Sequence, residues 1–298
     1  MARIFQNLID STILHIKNIS ENPSTPLNLS LLDDFKLIVN ELGSGTRKDI
    51  AYQLSILLPS LQQDPTPAIE VLKKLLEPCS FSEIQIINPD IDYTAGLAIE
   101  ATPYNDLIIA ILEKATYSSA DAENVASSQG ILLALVRLWL QTPNVKIASQ
   151  AEDLLFDLLK ADKQPPRVFQ DDLSVKNSYL GAVWRRLFSD RDIYETLFTS
   201  CTLERDNCRK LINSKQVSLA QGRLLSWLPR VADLKWNSLL DSHHHDIEGR
   251  FQGDRCYGGI LRFAATRMVD KDDVLMHMLL LDFCCDLLKI RPRDDMSR

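Results

Sequence analysis

The sequence predicts an all-α protein and, within that class, a right-handed α-solenoid of paired helices. Three observations predict it: one-sided apolar stripes at helical spacing recur along the chain, strand-like alternation is nearly absent, and a Thr-Pro dipeptide returns at intervals near 40 residues. At 298 residues the chain exceeds the usual size of one compact core, leaving two domains or one array that grows by repetition. The pattern favours the array. A single elongated unit is expected over residues 1–298, with acidic repeats in 1–150 and further repeats, complete or truncated, in 151–298.

The dipeptides are Thr25-Pro26, Thr66-Pro67, Thr102-Pro103 and Thr142-Pro143, at intervals of 41, 36 and 40 residues. A threonine hydroxyl at a helix N-cap accepts an otherwise unpaired amide hydrogen bond, and a proline next to it has no helical hydrogen bond to lose. Each Thr-Pro therefore predicts a helix start, except that after Thr25-Pro26 the start is expected nearer Ser30. Stripes follow the other three: Val71, Leu72, Leu75 and Leu76; Leu107, Ile108, Ile111 and Leu112; and Ile147, Ala148, Ala151, Leu154, Leu155, Leu158 and Leu159. A second helix lies between two starts, Gln129 to Leu140, with Ile131, Leu132, Leu135, Val136 and Trp139 on one side. Two helices per roughly 40 residues is the period of HEAT and armadillo arrays, in which each pair buries its apolar face on the next. Only Glu83 to Ile87 has a short alternating look, and Pro89-Asp90 cuts it off.

Beyond residue 150 the helices continue with different punctuation. Pro165-Pro166 ends one, Ser189-Asp190 caps the next, and Pro229 follows the stripe Leu219, Leu224, Leu225 and Leu228. Gly249, Gly253, Gly258 and Gly259 mark a loop. The last helix, Val274 to Ile290, is apolar on several sides through Leu275, Met276, Met278, Leu279, Leu280, Phe283, Leu287 and Leu288, so it calls for neighbours on more than one face.

Hydrophobic residues at 45% and charged residues at 24% are those of a folded chain rather than a disordered one. The formal net charge of −7 is unevenly placed: residues 1–150 hold 10 Lys+Arg against 17 Asp+Glu, and 151–298 hold 23 against 23. Nucleic acid is thereby disfavoured as a partner of the first half, since a duplex-binding face is basic. No apolar run reaches membrane-spanning length and the N-terminus lacks a signal-peptide apolar core, so a cytoplasmic or nuclear protein is expected. Six cysteines in no regular framework fit reduced thiols, and Cys201 and Cys208 read as small buried hydrophobes.

Catalytic signatures are weak. Asp241 to Glu248 contains His243, His244 and His245, but three adjacent histidines cannot converge on one ion from an ordered helix or strand, so the segment reads as a polar turn between helices. Gly43 to Lys48 lacks the full phosphate-loop order and reads as a helix stop followed by a start; no nucleophile elbow occurs. No enzyme activity, cofactor or metal is expected. The remaining lead is a grouping of tryptophan with basic side chains: Trp184 with Arg185 and Arg186, Trp227 between Arg223 and Arg230, and Trp236 after Lys235. Tryptophan and arginine dominate protein-interface hot spots through buried area and forked hydrogen bonds. With His243 and His244 they form the candidate partner-binding set, the competing reading for each tryptophan being a place in the core.

Trp184-Arg185-Arg186, the run Ser218-Leu219-Ala220-Gln221-Gly222-Arg223-Leu224-Leu225, Ser242-His243-His244 and Lys271-Asp272-Asp273-Val274-Leu275-Met276-His277-Met278 together resemble a fungal family. It is the family of HEAT-repeat chaperones of proteasome regulatory-particle base assembly, which also has a history as a DNA mismatch-repair family. The resemblance runs from about residue 125 to 290. It implies a curved chaperone, monomeric before binding, that grips the C-terminal domain of one proteasomal ATPase subunit on its concave face. It also implies members longer than this chain. A DNA repair-linked factor and a generic HEAT-repeat scaffold remain the alternatives.

Overall fold

The computed structural model describes residues 2–162, 181–202, 214–252 and 258–290. Among these residues every regular element is a helix, and none of them is a strand. Pro165-Pro166, Cys208 and Gly253 lie outside the described residues. The chain divides into two compact units, Met1–Ala115 and Thr116–Arg298. The whole formal charge belongs to the first, with 8 Lys+Arg against 15 Asp+Glu; the second holds 25 of each.

The first unit contains α1 (Ala2–Glu21), α2 (Leu29–Ile38), α3 (Ser44–Leu57), α4 (Thr66–Leu76), α5 (Phe81–Ile87), the single turn α6 (Tyr93–Gly96) and α7 (Thr102–Glu113). Helices two apart touch, α1 with α3, α2 with α4 and α3 with α5, and α4 meets α7 past the short α5 and the single turn α6. The apolar stripes make those contacts. Val71, Leu72, Leu75 and Leu76 of α4 and Leu107, Ile108, Ile111 and Leu112 of α7 are all buried. Each such side chain contributes about 1.5–3 kcal/mol before conformational entropy is subtracted. Ion pairs recur between the same neighbours: Lys36 with Glu70 at 2.8 Å, Lys48 with Glu83 at 2.8 Å and Lys73 with Asp106 at 2.5 Å. Their exposure to water and salt keeps such pairs weak, so they set register more than stability.

The helix starts show how far the Thr-Pro signal reaches. It locates the starts of α4 and α7, but Thr66 and Thr102 are the first helical residues rather than the caps, and Thr66 donates its N–H and hydroxyl to Asp64. After Thr25-Pro26 the helix starts at Leu29 behind Asn28, whose side chain accepts the Leu31 N–H. Thr142 ends one helix, and Asn144 caps the next. Glu83 to Ile87, the alternating segment, is helical: Ser80 and Glu83 close a capping box at the start of α5, which overrides a two-residue alternation too short to define a strand.

The second unit contains α8 (Ser119–Ser127), α9 (Ile131–Gln141), α10 (Val145–Ala161), α11 (Ala182–Ser189), α12 (Arg191–Ser200), α13 (Ser214–Leu240), α14 (His245–Gln252), α15 (Gly259–Thr266) and α16 (Val274–Lys289). The long α13 is its axis, touching α9, α10, α12, α15 and α16. It carries Pro229 inside and leaves helical geometry at Lys235, with φ −156° and ψ 85°. The glycine cluster is not one loop: Gly249 lies within α14, while Gly258 and Gly259 open α15 at positive φ. A Cβ on Gly259 would stand 2.6 Å from the carbonyl oxygens of Leu239 and Asp241, so only glycine lets α15 start against the end of α13.

Candidate functional site

The tryptophan and arginine residues singled out by sequence sit in the second unit, and the fold separates them by depth. Trp184 and Trp227 are each 1% exposed, so neither is part of a free surface. Trp227 packs at 4.9 Å from Trp139 and 6.4 Å from Phe188, and Phe188 continues the cluster to Trp184 at 5.7 Å. Trp184 also donates its ring N–H to the Leu159 carbonyl at 3.0 Å. As partner-binding anchors these two are corrected to core. On a helix, neighbours in sequence point about 100° apart, so Trp184 turns inward while Arg185 stays exposed. Trp236, next to the break at Lys235, is half-buried.

Most of the arginines are engaged within the unit. Arg223 donates to the Trp139 carbonyl at 2.7 Å and the Thr142 carbonyl at 2.9 Å, closing the C-terminal end of α9; burial lowers its pKa. Arg230 forks to Glu152 at 3.0 Å and Asp153 at 2.9 Å and lies over the Phe156 ring at 4.5 Å. Arg186 pairs with Asp190, which also caps α12 through the Asp192 and Ile193 N–H groups, as the sequence predicted for that position. Arg191 pairs with Asp246, holding that carboxyl down at about 2, and Arg250 meets Glu195 at 2.7 Å.

The histidine run forms a structured polar turn between α13 and α14. Its centre is Glu248, fully buried, which accepts the Tyr194 hydroxyl at 2.8 Å, the Ser242 hydroxyl at 2.7 Å and the His243 N–H at 3.2 Å. Burial, then the Glu248 carboxylate, raises the Tyr194 pKa far above that of a free phenol. His243 stands edge-on to Tyr194 at 5.9 Å, and the His244 ring lies 3.0 Å from the Ser189 carbonyl. These groups satisfy one another rather than converge on an open point. Among the described residues no cluster of three or more His, Cys, Asp or Glu is placed to hold a metal ion.

What the unit presents outward is an apolar helix face. On α16, Met276, Leu280 and Phe283 are buried, while Val274 is 74% exposed, Met278 59%, Leu281 54% and Leu288 85%. With exposed Cys285 these residues follow a 4-3-4-3 spacing, which places them in one narrow stripe. That is the a/d seam by which one helix accepts another. Asp273 fixes its start by accepting the Leu275 and Met276 N–H groups. The sequence pattern shows an apolar excess on this helix without dividing it into an inner and an outer stripe.

No family model, no curated protein and no solved structure matches the chain. None of the described helices is long and apolar enough to cross a membrane.

Proposed function

We propose that the chain is a non-enzymatic protein-binding scaffold of stacked HEAT-like helix pairs, acting as an assembly chaperone for the base of the proteasome regulatory particle. Its partner is the C-terminal domain of a proteasomal ATPase subunit, held against the exposed seam of α16. The observation that carries the protein-binding part is the exposed seam of α16. Monomeric soluble proteins rarely leave a contiguous apolar face in water, and a large one marks an interaction site. The start of that helix lies within Lys271 to Met278, one of the segments on which the family resemblance rests. The contacts between helices two apart in the first unit support stacking.

The reading moves the binding determinants from Trp184 and Trp227 to the α16 seam and the exposed Arg185. A DNA-linked role needs basic side chains available to phosphates. Arg186, Arg191, Arg223, Arg230 and Arg250 are instead committed to carboxylates or carbonyls of their own unit. The test is affinity capture by the immobilised full chain of each base ATPase C-terminal domain in turn. Saturable retention of one domain, lost at least tenfold in Leu281→Glu, is the expected result. Retention of none removes the chaperone reading, and retention of one domain unaffected by Leu281→Glu removes the seam.

A further inference from the structure

The first unit forms a half-open pocket of about 530 Å³ between α3, α4, α5 and α7, bordered by residues 88–101. That volume lies in the range of small-molecule sites, which are concave, mainly apolar and supplied with few polar groups. The walls are aliphatic: Leu72, Leu76, Ile84, Leu107, Ile108 and Ile111 all face it. The bordering segment is pinned rather than draped. Buried Asn105 donates to the Gly96 carbonyl at 2.8 Å and the Ala98 carbonyl at 2.9 Å. Asn88 donates to the Ser55 hydroxyl at 2.8 Å and accepts the Asp90 N–H at 3.0 Å. At Gly96 a Cβ would meet Ile108 at 2.4 Å, so α6 lies directly on α7. The cavity is therefore preformed, and its shape does not depend on a ligand closing it.

Its polar groups are unequally spent. Tyr104 donates its hydroxyl to the Leu58 carbonyl at 2.9 Å, and Asn88 is engaged at both ends. Asp90 and Asp92 are exposed residues on the lining; one Asp92 carboxylate oxygen caps α6 by accepting the Ala95 N–H at 2.9 Å, and no lysine, arginine or histidine lines the cavity with them. The surrounding unit carries the entire −7 charge of the chain, which adds a long-range attraction for cations. We propose that this cavity binds a cationic amphiphile, a small molecule whose aliphatic or ring body enters the apolar pocket and whose ammonium group sits at Asp90 and Asp92. The site is independent of the α16 seam and stands whether or not the chain binds a proteasomal subunit.

The experiment is a calorimetric titration of the full chain with decylammonium and with decanoate, matched in chain length, opposite in charge and kept below their micellar concentrations. Decylammonium is expected to saturate one site per chain, with decanoate at least tenfold weaker. The double variant Asp90→Asn, Asp92→Asn is expected to weaken decylammonium about tenfold and bring the two probes together; asparagine keeps the helix-capping acceptor at 92, so the wall is preserved. Ala95→Trp, at an exposed lining position, is expected to block both probes. No saturable binding of decylammonium, equal binding of the two probes to the unaltered chain, or binding indifferent to Ala95→Trp would each overturn the proposal.

Discussion

At the residue scale, Asp162 shows a buried carboxyl used as structure. It is 2% exposed and accepts the Val183 N–H at 2.8 Å and the Trp184 N–H at 3.2 Å, supplying the acceptor that the start of α11 otherwise lacks. Desolvation outweighs those donors and lifts its pKa from an ordinary 3.8 to about 6. A folded-state value above the unfolded one means that the fold binds the proton more tightly. This contribution to stability is fully present below about pH 4 and is lost as pH rises through about 6, at most about 3 kcal/mol. Asp162→Asn keeps an acceptor and removes the titration, so chemical denaturation should show a flatter stability profile between pH 4 and 6. Asp162→Ala removes both the cap and the titration, so its cost should be largest near pH 4 and shrink as pH rises through about 6. Gly181→Ala should destabilise as well, because its Cβ would lie 2.1 Å from the Asp162 carboxylate. The same scale explains why basic residues near tryptophan mislead. Arg223→Ala strands two carbonyls at the end of α9 and is expected to cost about 1–3 kcal/mol, whereas exposed Arg185→Ala should stay within about 0.5 kcal/mol. Thermal melts of the two variants distinguish the roles, which residue type alone does not reveal.

At the element scale, what the sequence made legible was periodicity. The stripes of α4, α7, α9 and α10 are buried as their spacing requires, and Thr-Pro locates two helix starts. Where it slipped, a stronger cap stood a few residues away, Asn28 for α2 and Asn144 for α10. Periodicity also showed α16 as apolar on several sides, but only the packed structure sorts Phe283 inward and Leu281 outward. That division predicts opposite behaviour of two neighbouring substitutions. Phe283→Ala opens a void against the core and should cost about 3–5 kcal/mol in denaturant unfolding. Leu281→Glu should shift the unfolding midpoint far less, because its side chain is already more than half in water.

For the whole molecule, helical class followed from composition and pattern, while the division at Ala115 and the cavity beside residues 88–101 did not. Both are products of which helices meet, and Asn105 or Gly96 shows its purpose only beside the backbone it holds. Glu248 was hidden for the same reason: its three donors come from residues 194, 242 and 243, and only folding brings the first of these to the other two. If, as proposed, the chain holds another protein through the exposed seam of α16, hydrogen exchange of the full chain with and without the retained ATPase C-terminal domain reports it. Amides of residues 274–289 are expected to exchange more slowly in the complex. A complex that forms while those amides exchange at their free rate would contradict it.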